Sequence, residues 1–234
     1  MPKFFVKNDQ INGNEISIVG EDVNHIVNVL RLKEEDEINI CNTDTSENYI
    51  AKIVGAPAHR CPNFASGIKC EIVNKIDSKA ESNIHITIFQ GLPKADKMEL
   101  VIEKCIELGA AEITPVEMKR CVVKLEHKTK IKKIERWQKT AETAAKQSGR
   151  DIIPKVNDII NVKNICNLID NYDIVLLAYE EEKENTLKEE LQNFAGMNIG
   201  IIIGPEGGLE PEEVSMLKEK RSKSCYIRKQ NIKN

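Results

Sequence analysis

Two rhythms of apolar residues run along this chain and divide it near residue 77. Before that point short stretches alternate apolar with polar. They are Ile16-Ser17-Ile18-Val19, Glu37-Ile38-Asn39-Ile40-Cys41 and Asn48-Tyr49-Ile50-Ala51-Lys52-Ile53-Val54. A period of two turns one face of a strand to a core and the other to water. Between the first two lies Asp22 to Arg31. Its Val23, Ile26, Val27 and Leu30 recur at helical spacing and predict one apolar helix face. Ala56 to Gly67 carries two Pro and a Gly and reads as a loop, and Ile68 to Ile76 reads as one more strand. Several short strands around one helix predict a small β-barrel over residues 1–76.

Asp77-Ser78-Lys79-Ala80-Glu81-Ser82-Asn83 is polar and reads as a linker. Beyond it the apolar runs become continuous and alternate with helical patterns. Ile84 to Phe89, Glu112 to Val116, Asp173 to Tyr179 and Asn198 to Ile203 have the length and composition of buried strands. Met98, Val101, Ile102, Cys105 and Leu108 mark an amphipathic helix, with Gly109 as its stop. A longer helix carries Ile131, Ile134, Trp137, Ala141, Ala144 and Ser148 on one face and ends at Gly149. Strands alternating with helices predict a mainly parallel α/β sheet over residues 83–234. The fold class expected is therefore α+β in two domains, a barrel followed by an α/β domain.

The sharpest local feature is Ile201-Ile202-Ile203-Gly204-Pro205-Glu206-Gly207-Gly208-Leu209. It starts as a buried strand and leads into a helix at Pro211, where proline suits the first turn and Glu212 and Glu213 suit the positive end. The loop between is a strand-to-helix connection at the carboxyl edge of a sheet, where ligands of open α/β folds sit. Its glycines allow close backbone approach, either to a ligand or within a tight turn. The usual nucleotide motifs are missing: there is no G-x-x-x-x-G-K-[ST], and Gln90-Gly91-Leu92-Pro93-Lys94 is not G-x-G-x-x-G. No G-x-S-x-G or H-E-x-x-H occurs, which removes the commonest hydrolase chemistries.

Composition adds little until its distribution is considered. Apolar residues at 41% suffice for packed cores, and aromatics at 4% leave those cores to Ile, Val, Leu and Ala. The N-terminus lacks the apolar stretch of a signal peptide, and no run approaches membrane-spanning length. A cytosolic protein with no membrane partner is expected. Seven cysteines without a C-x-x-C pair suggest reduced thiols rather than a disulfide framework. His59, Cys61 and Cys70 lack the short spacings of a structural zinc site, so no metal is expected. The net charge is −3, yet Met118 to Lys139 holds nine Lys or Arg against two Glu, a local +7. A segregated basic segment can bind a polyanion despite an acidic total, although a solvated helix face has the same composition. Within or beside it stand Lys119, Arg120, Lys124, Arg136, Gln147 and Arg150. Arginine grips phosphate bidentately and glutamine can meet a base edge.

Taken together and in order, these segments resemble the RsmE family of SPOUT methyltransferases. The resemblance rests on Val23 to Arg31, Phe89-Gln90-Gly91-Leu92-Pro93-Lys94-Ala95-Asp96-Lys97-Met98-Glu99, Glu103 to Gly109, Arg120-Cys121, Arg136-Trp137, Gln147-Ser148-Gly149-Arg150 and Gly204-Pro205-Glu206-Gly207-Gly208. It implies a PUA-like RNA-binding barrel at 1–76 and a trefoil-knotted SPOUT domain at 83–234. It implies S-adenosyl-L-methionine as cofactor, a homodimer, and N3 of a uridine in 16S rRNA of the small ribosomal subunit as target. By the same resemblance Leu177, Gly204, Pro205, Glu206, Gly207 and Gly208 would hold the cofactor. Arg120, Gln147 and Arg150 would be catalytic and face the RNA. Arg31, Lys119, Lys124 and Arg136 would add RNA contacts. The chain departs from the family pattern after the helix at Pro211. Arg221 to Asn234 does not match the Leu-Arg-x-Glu-Thr segment and final helix that complete the knot. The expectation that follows is a missing or altered knot segment and weak cofactor binding. The alternative is a catalytically inactive RNA-binding remnant.

Overall fold

The computed structural model describes residues 1–55, 67–77, 80–183, 185–192, 194–220 and 222–225. The expected loop over 56–66, with His59 and Cys61, lies outside these residues. So does the departing tail from 226 onward. Contacts divide the chain into two compact units, one of residues 1–81 with 145–153 and one of 82–144 with 154–234.

In the first unit the strands are β1 (Lys3–Val6), β2 (Ile11–Asn12), β3 (Glu15–Ile18), β4 (Glu37–Asn42), β5 (Asn48–Gly55) and β6 (Ile68–Ile76), with helix α1 (Glu21–Asn24) after β3. Their order is β1-β4-β5-β6-β3-β2. β1 runs parallel to β4 and the other pairs are antiparallel. Among the described residues β1 and β2 end this order unjoined, so the expected barrel is an open, half-barrel sheet. The physical reason is that β2 has only two residues, too few to carry pairing onward. Alternation places Ile16, Ile18, Ile38, Ile40, Ala51 and Ile53 in one core with Phe4, Val23, Ile26 and Val27.

α1 continues into a π turn, His25–Val29, where the Leu30 amide donates to the His25 carbonyl. That wider turn rotates Leu30 off the predicted face and leaves it 37% exposed, while Leu32 packs on the core instead. β1 was not anticipated. Its first residue, Lys3, is buried and pairs with Asp151.

The expected linker holds an anchor. Glu81 accepts from Arg150 Nε and Nη2, the latter at 2.7 Å, and from the amides of Asp151 and Ile152. Burial pushes the Glu81 carboxyl up, but the Arg150 guanidinium and the two amides outweigh it and hold it below its usual range. A depressed folded pKa stabilises fully above the unfolded value, about 4.3 for glutamate, and the gain is lost as pH falls through the folded value. Urea midpoints are therefore expected to drop on acidification below about pH 4.3, and less steeply in Glu81→Gln.

The second unit is a parallel sheet of β7 (His85–Gly91), β8 (Glu112–Glu117), β9 (Lys155–Val156), β10 (Ile160–Asn161), β11 (Ile174–Ala178), β12 (Asn198–Ile203) and β13 (Lys223–Cys225). Its order is β10-β8-β7-β12-β11-β13, with β9 also on β8. The helices are α2 (Lys97–Glu107), α3 (His127–Ser148), α4 (Val162–Leu168), α5 (Leu187–Leu191) and α6 (Pro211–Glu219). Met98, Ile102 and Ile106 form the buried face of α2, and Leu108, 86% exposed, does not join it. The helix has ended by then, with Gly109 at φ +100°. Trp137, Ala141 and Ala144 of α3 are buried as expected, whereas Ile131 and Ser148 at its ends are exposed. Among the described residues no helix is long and apolar enough to cross a membrane.

Candidate functional site

Parallel pairing sets the carboxyl ends of the central strands on one rim. The register aligns Ile203 with Gln90 and with Ala178, and Gly91 with Val116. The loops after β7, β8, β11 and β12 therefore leave the sheet together. Sequence places the Gly204 turn at this rim, and the structure agrees.

The loop from Gly204 to Glu210 joins β12 to α6. The Gly208 amide donates to the Pro205 carbonyl at 2.9 Å, and Gly208 sits at φ +72°, a conformation that glycine adopts freely. Gly91 lies directly against this loop. A Cβ there would stand 2.7 Å from both Cδ and N of Pro205 and 2.9 Å from Met118 Sδ. Gln90, buried beside it, donates its side-chain amide to the carbonyls of Gly91 at 2.9 Å and Gly204 at 3.4 Å. Because backbone cannot yield as a side chain can, Gly91→Ala is expected to cost about 1–3 kcal/mol of stability by overpacking. It should also weaken any ligand held by the loop, which denaturant midpoints and calorimetry would separate.

Arg120 reaches the same loop from the segment after β8. Its Nε donates to Glu210 Oε1 and its Nη1 to the Gly207 carbonyl, each at 2.9 Å. The hydrogen bond with Arg120 holds the Glu210 carboxyl below its ordinary range, and that with Glu210 raises the Arg120 guanidinium. Glu213, 6% exposed, accepts the Lys119 amide at 2.9 Å and the Glu210 amide at 3.1 Å. Lys119 Nζ pairs with Glu212. The acids that open α6 thus do more than complement the helix end: they tie residues 119–120 to the glycine loop.

Glu206 points the other way. It accepts from Lys97 Nζ at 2.9 Å and from the Lys94 amide at 3.2 Å, and the bond to Lys97 leads in holding its carboxyl below the usual range. Leu177 is fully buried in β11, in register with Ile202 on one side and Ser224 on the other. A cleft of about 330 Å³ lies beside the Arg120 segment, lined by Glu117, Met118, Cys121, Val123, Lys124 and Leu125. Burial pushes the Cys121 thiol up, which makes it a poor nucleophile.

The second unit therefore brings together Arg120, Lys119 and Gly204 to Gly208, with Leu177 on the neighbouring strand. Lys124 is exposed at the cleft, and Arg136 is exposed but paired with Glu99 at 2.8 Å. Gln147 and Arg150 group with the first unit, where Gln147 is exposed and Arg150 is 6% exposed. Arg31, exposed at φ +56°, belongs there too. Gln90, Gly91, Glu210 and Glu213 were missed as site residues. Only the glycine ending a strand could have hinted at the close approach.

An open parallel sheet with a glycine loop and an arginine at its carboxyl rim defines an α/β class of fold whose ligands sit at that rim. Residues 80–233 match the RNA methyltransferase domain family, and residues 18–61 match the RNA methyltransferase PUA domain. Ribosomal RNA small subunit methyltransferase E of Bacillus subtilis (strain 168) is 36% identical over 219 residues, 90% of this chain and 81% of that protein. The chain belongs to this methyltransferase family. A crystal structure of a hypothetical protein superposes with a TM-score of 0.85 at 32% identity, over 98% of this chain and 91% of the other. The fold is also that of a ribosomal RNA small subunit methyltransferase E from Neisseria gonorrhoeae, solved with S-adenosyl methionine. Its TM-score is 0.83 at 24% identity, over 99% of this chain and 91% of that one.

Proposed function

We propose that this chain transfers a methyl group from S-adenosylmethionine to N3 of a uridine in 16S rRNA of the small ribosomal subunit. The observation that carries the reading is the meeting of Arg120 with the glycine loop at the carboxyl rim, in a chain of this family. The loop suits an adenosyl nucleoside. Gly204, Gly207 and Gly208 add no side chain to a loop on which Leu209, Arg120 and Glu180 already close, and Pro205 lies directly against Gly91. In this reading Gly204, Pro205, Gly207, Gly208 and the end of β11 at Leu177 hold the cofactor. Glu206 contributes by anchoring the loop to Lys94 and Lys97.

When bound, the cofactor supplies a methyl group on a sulfonium that is its own leaving group. The protein's task is then orientation, holding methyl and nitrogen in line. Uracil N3 must lose a proton, and Arg120 is the cation poised to stabilise the anion that results. The base must leave its stack to be reached, and the cleft beside Cys121 has room for it. Lys124 meets RNA phosphates, and Lys119 joins it only by giving up its pairing with Glu212. Gln147 and Arg31 add contacts from the PUA-like unit, whereas the burial of Arg150 favours a supporting role for it and the Glu99 pairing limits Arg136. The reading also includes a homodimer, action in the cytoplasm where ribosomes assemble, and a knotted SPOUT topology. The parallel pairing of β13 with β11 favours the SPOUT strand order, while the segment expected to be missing or altered in the knot lies from 226 onward, outside the described residues.

The test is incubation of the protein with labelled S-adenosylmethionine and small subunits that lack the modification, followed by mass spectrometry of nuclease digests. Appearance of one 3-methyluridine is expected. No label in rRNA, with cofactor binding intact, rejects the reading.

A further inference from the structure

The first turn of helix α3 carries cations directly after Glu126, whose carbonyl accepts the amides of Thr129 and Lys130. The first residues of α3 are His127-Lys128-Thr129-Lys130, and its first turn holds no acid. The amino end of a helix is already positive, so cations there work against stability. Acids open α2 (Glu99), α5 (Glu189 and Glu190) and α6 (Glu212 and Glu213), whereas α4, like α3, has none in its first turn.

Most cations of the basic segment are spoken for. Lys119, Arg120, Lys130 and Arg136 face carboxylates, and Lys133 lies over the Trp137 ring at 5.6 Å. Among the described residues, Lys124, Lys128 and Lys132 face no carboxylate within ion-pair distance, and all three are exposed. They recur every four residues. Lys128 and Lys132 share a helix face, about 6 Å apart along the axis. Lys130 pairs with Glu117 at 2.7 Å and thereby ties the first turn of α3 to the end of β8. The row of lysines thus begins at the same rim as Arg120, and Lys124 lines the cleft there.

We propose that Lys124, Lys128 and Lys132 form a track for the phosphates of an RNA strand, leading to the Arg120 rim. The inference rests on the reading of the chain as an rRNA methyltransferase and adds the surface that receives its substrate. The helix end adds its own positive potential to three solvated point charges, which suits a polyanion gripped without regard to sequence. Phosphate contacts of this kind set register and orientation, while Arg120 and the cleft deal with the base.

The experiment compares the full-length protein with its Lys124→Gln, Lys128→Gln, Lys132→Gln triple variant. A labelled single-stranded RNA reports affinity across a salt series, and small subunits report methyl transfer. Each phosphate contact to a single strand contributes about −0.7 to the slope of log K against log salt, so the variant's slope should be shallower by about 2. KM for subunits should rise while cofactor affinity holds. The thermal midpoint should stay or rise, because charges opposed to the helix end are gone. Arg136→Gln, already paired with Glu99, should leave the slope unchanged. A triple variant with the wild-type slope overturns the track, as does wild-type RNA binding that is insensitive to salt. Steep salt dependence lost in the variant, in a protein that transfers no methyl group, supports the track and rejects the enzymatic reading instead.

Discussion

Alanine at position 120 is expected to slow methyl transfer on the order of 10²-fold while the thermal midpoint hardly moves. Two contributions are lost together. One is the cation that, in the proposed mechanism, stabilises the uracil anion. The other is the clamp in which Nε holds Glu210 and Nη1 holds the Gly207 carbonyl. With its side chain 40% exposed, Arg120 is partly screened by water, which favours the lower part of the range found for such donors. Lysine separates the two contributions. It keeps the charge, but its single ammonium lacks the fork that spans a carboxylate and a carbonyl at once. If the clamp dominates, Arg120→Lys should bind cofactor as weakly as Arg120→Ala, and Glu210→Gln should follow it part of the way. If charge dominates, lysine should restore kcat with cofactor affinity little changed in any variant. Steady-state kinetics on small subunits with calorimetry for the cofactor distinguishes these cases, and full activity in Arg120→Ala removes the residue from the mechanism.

The residues around Arg120 mark the boundary of what sequence alone discloses. Continuous runs such as Asn198 to Ile203 announce buried parallel strands, and the glycines that follow announce a tight loop at the sheet edge. Both stand where they were expected. Period-two stretches in the first unit likewise reveal β3, β4 and β5. Signals fail where partners lie far apart along the chain. Glu210, Glu212 and Glu213 have a sufficient local explanation in the helix they open, and nothing local reveals that Lys119 and Arg120, about ninety residues earlier, are their partners. Glu81 sits in a polar stretch that reads as a linker, yet it receives a guanidinium and two amides from a segment about seventy residues later. β1 hides behind a charged first residue, and β2, β9 and β10 are two residues long, too short to show any period. The π turn after α1 escapes notice because helical spacing assumes a constant turn. A single wider turn is enough to displace Leu30.

Arg150→Ala is expected to be the most damaging single change to the first unit. The guanidinium side chain is 8% exposed and faces Glu81, itself 23% exposed, through paired hydrogen bonds. Removing one partner of a buried pair leaves the other charge with only its two amide donors, a loss of about 3 kcal/mol. For a chain of this size each kcal/mol moves the midpoint by roughly 2–4 °C, so a drop of about 6–12 °C should appear in a thermal scan. The same carboxylate also holds the amides of Asp151 and Ile152, and Asp151 receives buried Lys3, so the damage should extend into β1. Arg150→Lys should recover only part of the loss, since an ammonium cannot match the two oxygens in the same plane. The double change Arg150→Met with Glu81→Met removes both charges and should be milder than Arg150→Ala, because no unpaired ion remains. These variants also decide what Arg150 does. A buried brace predicts lower stability with the kcat of the folded fraction retained. A residue that touches RNA predicts the reverse, a fall in kcat/KM at an unchanged midpoint. Unchanged stability in Arg150→Ala would mean that the pair with Glu81 contributes nothing to the fold.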